Sequence, residues 1–195
     1  MNQTYGILWL LLALLISATS LEARMEVVDP RSDGREPTSY AWWVALEFKP
    51  MDTAIEGIPV QQIRPDWIRA SILTKESIPP KAFQEDGGRD SMADARVAFS
   101  RDGDFNGDGI PDKAVVGTYE DRKGGLGQFL LILTRGTGEA WKVLVVNVAA
   151  GKPGFSALRA KGKRLQWWFC MQCDDFVEVL WDAKKKTFRL KSGMP

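Results

Sequence analysis

Histidine is absent from the 195 residues. With it go the commonest general base, the usual partner of a nucleophilic Ser or Cys, and the commonest ligand for zinc or copper. Cysteine is scarce, at two residues, so the roughly four thiolate or imidazole ligands of a structural zinc site cannot be assembled. No Gly-x-Ser-x-Gly nucleophile signature appears. Charge of one sign is also lacking: the net value is +1, with acids and bases interspersed, which gives no footprint for a nucleic acid or a strongly acidic partner. Together these absences argue that the protein is not an enzyme.

Long apolar runs are missing too. The longest, Ile7 to Ile16, falls short of the roughly 20 residues a bilayer span needs. It suits a signal-peptide core, which needs only about 7 to 15, and Ala18-Thr19-Ser20 supplies small residues for a cut. Residues 1–20 therefore read as a signal peptide. The start, Met1 to Gly6, has no Lys or Arg, and an uncleaved anchor would leave the domain on the same side of the membrane. No Cys stands near the cut to take a lipid. A periplasmic or secreted location follows, with no membrane span after signal removal.

What is present is about 170 residues, enough for one domain with its own core. Residues 21–38 are charged and turn-rich, an irregular lead-in, and 39–195 read as a single β-rich domain. Trp42, Val44, Leu46 and Phe48 recur at period two, which predicts a half-buried strand over Tyr40 to Phe48. Between Pro59 and Phe83 the pattern loosens. One or two short helices are expected there, with Pro65 in a first turn, Pro79-Pro80 ending them, and a polar loop from Glu85 to Asp94.

Strands are predicted at Arg96–Ser100, Lys113–Tyr119, Gln128–Thr134, Trp141–Val148, Phe155–Arg159, Arg164–Cys170, Phe176–Trp181 and Thr187–Leu190. Hairpin-length turns separate several of them, so an antiparallel meander is the simplest order. Phe129–Leu133 and Val143–Val148 are apolar on both faces and should be central strands, covered by helices on one side and sheet on the other. The fold class expected is mainly β (β-rich α+β), a meander or sandwich of about eight to nine antiparallel strands preceded by one or two short helices.

The chemistry concentrates in Asp104-Phe105-Asn106-Gly107-Asp108-Gly109-Ile110-Pro111-Asp112. Calcium wants six to eight oxygen ligands, and a short loop supplies them only if side chains alternate and the backbone bends sharply. A register starting at Asp102 ends on Lys113 at position twelve, where an EF-hand needs Glu. Starting at Asp104 instead gives Asp104, Asn106 and Asp108 at positions one, three and five, a Gly at six, the carbonyl of Ile110 at seven and Asp112 at nine. Asx residues also favour ordinary turns. A turn, however, demands neither three of them at two-residue spacing nor the added carboxylate. Position twelve is Val115, and strands flank the loop, so a structural calcium ion suits it better than an EF-hand sensor.

The run from Asp104 to Val116 resembles the loop and following strand of FG-GAP or VCBS-type (integrin-like) calcium-binding repeats. A weaker likeness continues through Gly125–Leu133 and the turn Arg135–Gly138, so that one copy covers about residues 104–141. The resemblance implies that Asp104, Asn106, Asp108 and Asp112 are side-chain ligands, with the Ile110 carbonyl between them and water completing the shell. It does not carry over the propeller, which needs about four to eight blades.

Three constellations remain. Cys170-Met171-Gln172-Cys173 fits a disulfide at a hairpin tip better than zinc or a redox dithiol, because β-rich sequence lies on both sides. Trp42-Trp43 and Trp167-Trp168-Phe169, drawn from eight Trp, serve either as core or as an exposed platform for a sugar ring or partner. Asp174-Asp175 with Glu178 reads as a solvated hairpin shoulder, and Lys184-Lys185-Lys186 as a charged turn. The leading function is therefore an exported calcium-binding module with a protein or glycan partner in the cell envelope. The competing class is a carboxylate-based hydrolase of envelope polysaccharide or peptidoglycan.

Overall fold

Antiparallel pairing between neighbours in the chain organises the molecule, as its short connections require. The computed structural model describes residues 25–85, 90–135, 140–162, 164–173 and 175–192. The signal segment, residues 1–20, lies outside them. The elements run β1 (Glu26–Val28), α1 (Trp42–Ala45), β2 (Glu47–Lys49), β3 (Ala54–Ile55), β4 (Ile58–Pro59), α2 (Val60–Ile63) and β5 (Trp67–Ile72). They continue with α3 (Pro80–Glu85), α4 (Ser91–Asp94), β6 (Ser100–Gly103), β7 (Asp112–Asp121), β8 (Leu126–Arg135) and β9 (Trp141–Ala150). Four more strands close the chain: β10 (Ala157–Lys161), β11 (Arg164–Trp168), β12 (Phe176–Asp182) and β13 (Thr187–Ser192).

Two sheets dominate. One has five strands in the order β5-β7-β8-β9, with β6 pairing the first part of β7 beside β5. The other is the meander β10-β11-β12-β13. The mainly β fold of the sequence reading is thus observed, with additional strands of two or three residues (β1 to β4) that no periodicity could announce.

Alternation along β7 and β8 gives the larger sheet two buried faces. Ala114, Val116, Leu130 and Ile132 point to one side. There they share a core with Leu158, Leu165, Trp167, Val179 and Phe188 of the second sheet and with α1. Val115, Tyr119, Phe129, Leu131 and Leu133 point to the other, which α2, the β3–β4 hairpin and Trp67 cover. Trp42, Trp43, Trp167 and Trp168 are all buried, so these aromatics are core and not a platform.

The expected strand at Tyr40–Phe48 is instead a single helical turn, α1, followed by β2. A strand would send Trp42 and Trp43 to opposite faces, whereas the turn brings both into one cluster and leaves Val44 44% exposed. Lys152 Nζ completes the turn by donating to the Val44 and Ala45 carbonyls, where the helix leaves its oxygens unpaired. Pro65 does not begin a helix. It follows α2 in the turn before β5, while Pro79-Pro80 follow the end of a 3-10 turn at Lys75–Ser77 and Pro80 also opens α3.

Other expectations also shift. Inside the expected lead-in, β1 pairs β2, and Arg31 bonds Asp29, the Tyr40 carbonyl and Glu85. Part of the polar loop forms α4, capped by Asp90 Oδ1 accepting the Ala93 N–H at 3.0 Å. The strand placed at Arg96–Ser100 begins only at Ser100. Before it, Arg96 takes a positive φ and Ala98 forms an isolated bridge with Leu158. Of the two supposed central strands, β8 is central but β9 lies at the end of its sheet. Cys170 and Cys173 are disulfide-bonded in the connection between β11 and β12.

Candidate metal centre

The residues from Asp104 to Pro111 are the connection of the β6–β7 hairpin. Gly103 pairs with Asp112 across its base, and Asp102 pairs with Lys113 one step further in. Asp102 therefore belongs to the ladder, and the loop proper starts at Asp104. Two glycines, Gly107 and Gly109, take φ of 78° and 85°, the left-handed region that L side chains resist. Phe105 is buried in the core between the sheets and hooks the loop to the body of the protein.

The polar side chains curl inward over this frame. Asp104 Oδ1 accepts the Gly107 N–H at 2.7 Å, and Oδ2 accepts that of Gly109 at 3.3 Å. Asn106 Oδ1 accepts from Asp108 N at 2.9 Å, and its Nδ2 donates to Asp108 Oδ2, also at 2.9 Å. Asp108 Oδ1 accepts from Ile110 N at 2.8 Å. Ile110 is exposed on the outer side of the loop. These are Asx turns in series. In this arrangement, among the described residues, no three His, Cys, Asp or Glu side chains gather into a group that could hold a metal.

Asp112 differs from the others. It opens β7 on the same face as Ala114 and Val116 and is fully buried. Its Oδ2 accepts the N–H groups of Phe105 at 2.9 Å and Asn106 at 3.2 Å, closing the loop onto the strand. Oδ1 is buried with no hydrogen-bond partner. Burial pushes the carboxyl's pKa up. The nearby Thr134 hydroxyl on β8 and the two N–H groups pull against that shift, and the Asp108 charge adds to it. Thr134 Oγ1 is the nearby donor, yet neither it nor Asp112 Oδ1 has a partner in full hydrogen-bond geometry. A buried carboxylate oxygen without a donor is costly unless something positive meets it.

The adjacent lysine does not do so. Lys113 points to the opposite face of β7, where Nζ bonds Glu56 Oε1 at 2.6 Å and lies 5.8 Å from the Trp141 ring centroid. The donor set is thus all oxygen: three carboxylates, one amide and the Ile110 carbonyl. That chemistry fits a hard divalent cation such as calcium and not zinc or copper.

No family model, curated protein or solved structure matches this chain.

Elsewhere, an open cleft of about 550 Å³ is lined by Trp43, Glu85, Ser91, Asp94, Ala95, Met171 and Gln172. Its Glu85 carboxylate is already engaged by Arg31, at 2.6 Å. Neither Asp175 nor Glu178 lines it. Asp174 lies outside the described residues. No sequence signal pointed to Phe105 as the loop's anchor, to Thr134 beside Asp112, or to the burial of Asp112, because all three depend on strand pairing.

Proposed function

We propose that the protein is an exported calcium-binding module in which the ion is structural and the protein works through its surface. Asp104, Asn106, Asp108 and Asp112 would hold the ion by their side chains and Ile110 by its carbonyl, as the likeness to FG-GAP and VCBS-type repeats implies. On binding, the ion would draw these carboxylates together and supply the positive charge that offsets their mutual repulsion. The observation that carries this reading is the buried Asp112, whose Oδ1 has no donor. The Cys170–Cys173 disulfide supports an oxidising compartment, periplasmic or extracellular. Among the described residues no helix is long and apolar enough to cross a membrane.

Calorimetric titration tests the metal assignment. One calcium ion per chain is expected, with affinity in the range of about 10⁻⁴ to 10⁻³ M common to extracellular modules. Asp108→Ala should abolish the heat. Titration without heat in the parent, or with the same heat in the variant, rules the site out. For the interaction role, a pull-down from envelope extract in calcium should give a stoichiometric partner that is lost with chelator. Turnover of envelope polymer by the purified protein would replace the binding role with a hydrolytic one.

A further inference from the structure

Carried one step past the Lys113–Leu133 pair, the register of β7 and β8 sets Asp112 opposite Thr134. Both residues stand on the face of the sheet that Ala114, Val116, Leu130 and Ile132 share. Directly opposed residues on neighbouring strands have Cβ atoms about 4.5 to 5.5 Å apart, so two short polar side chains placed this way are within reach of one another. Each of these two carries a buried oxygen without a partner, Asp112 Oδ1 and Thr134 Oγ1. Their chemistry is complementary. A carboxylate oxygen accepts and a threonine hydroxyl can donate, so a small adjustment would let each satisfy the other.

Packing does not account for the hydroxyl. The residues two and four positions before Thr134 on the same face, Ile132 and Leu130, are apolar and buried, and valine would continue that row with the same shape. A buried hydroxyl left unpaired costs free energy that a methyl group would not. The two oxygens of Asp112 are also unequal. Oδ2 is committed to the loop, accepting the N–H groups of Phe105 at 2.9 Å and Asn106 at 3.2 Å, whereas Oδ1 keeps its lone pairs free. The carboxylate is therefore held from the loop side, and Oδ1 faces β8 with no bond to it. Lys113 does not reach round to help, since it bonds Glu56 on the opposite face of β7.

Given the calcium site proposed above, we infer that Thr134 is its positioning residue: when the ion engages Asp112, the Thr134 hydroxyl donates to Oδ1 and fixes the carboxylate from β8. The ion site is then tied to a strand outside the β6–β7 hairpin that carries the ligands. Ligating carboxylates are commonly held by such partners, and removing one typically costs about 10- to 100-fold in metal affinity. As they stand, the two oxygens do not meet in bonding geometry, so the contact forms with the ion and contributes nothing to the fold without it. Thr134 should accordingly govern calcium affinity and leave stability in chelator untouched.

Melting temperature measured against calcium concentration tests this in the parent, Thr134→Val and Thr134→Ser. In the Val variant the calcium concentration that gives half of the upward shift should rise about tenfold or more. Its melting temperature in chelator should be no lower than the parent's, because a methyl group replaces an unpaired hydroxyl. The Ser variant keeps the hydroxyl and should need no more calcium than the parent. A Val variant with the parent's calcium dependence, a Val variant that melts lower in chelator, or a Ser variant as impaired as Val would overturn the role of Thr134 and leave the calcium site standing. A parent indifferent to calcium would overturn both.

Discussion

Calcium should raise the melting temperature of this protein, and the size of the effect can be worked out beforehand. At a free concentration about 100-fold above Kd, an ion that binds only the folded state contributes about 2.7 kcal/mol. For a domain of this size each kcal/mol moves the midpoint by about 2 to 4 °C, so an upward shift of about 5 to 10 °C is expected between chelator and saturating calcium. Asp112→Asn sharpens the test. It keeps an acceptor for the Phe105 and Asn106 N–H groups but removes the buried charge, whose Oδ1 lacks a donor. Without calcium this variant should melt no lower than the parent, and its calcium response should shrink. Scanning calorimetry in chelator, calcium and magnesium reads all of this. Identical curves in chelator and calcium would refute the reasoning, and so would an Asp112→Asn variant that responds as fully as the parent.

Other perturbations have defined outcomes. Replacing Cys170 and Cys173 by Ser should cost about 2 kcal/mol by the loop-closure estimate for so small a ring, read as a lowered urea midpoint; loss of an activity with an unchanged midpoint would mean that the pair does more than staple. Gly117→Ala sets a methyl against the Ser71 carbonyl oxygen and the Phe129 ring, where β5 meets β7, so a loss near the upper end of about 1 to 3 kcal/mol is expected. A change under about 0.5 kcal/mol would mean that the strands yield easily. Arg31→Met should cost about 1 to 2 kcal/mol at neutral pH, since its partners Asp29 and Glu85 are about one-third exposed and partly screened. The hydrogen bond from Arg31 lowers the Asp29 pKa from 3.8, so the stabilisation is present above that value and is lost as pH falls through the lower folded one. The gap between parent and variant in acid melts should close accordingly. A gap unchanged in acid would assign the effect to packing of the arginine stem.

From Lys113 onward the strands were legible because runs rich in apolar and β-branched residues are set apart there by turn residues. The errors have physical causes. In β5 the bulge at Trp67 puts Trp67 and Ala70 on one face, three residues apart, which imitates helical spacing. Trp42 to Phe48 shows the reverse, a period of two produced by a helical turn followed by a strand. β9 was read as central because it is apolar on both faces, and it is so at an edge because two cores reach it. At the proposed calcium loop, spacing alone nominated the oxygen ligands and their register. It could not distinguish Asp112, buried and half unsatisfied, from the exposed Asp108, since that difference arises where β7 meets β6 and β8.

The sharing of β7 and β8 between both cores has a consequence for how the molecule opens. Neither apolar layer can be exposed alone without stripping one side of the same two strands, so neither layer can come away as an independent unit. Backbone amides at the middle of these strands, around Val115, Val116, Leu130 and Leu131, should exchange with solvent only through global unfolding. Those of α1, β1 and the β3–β4 hairpin are free to exchange by local fraying while the rest of the protein stays shut.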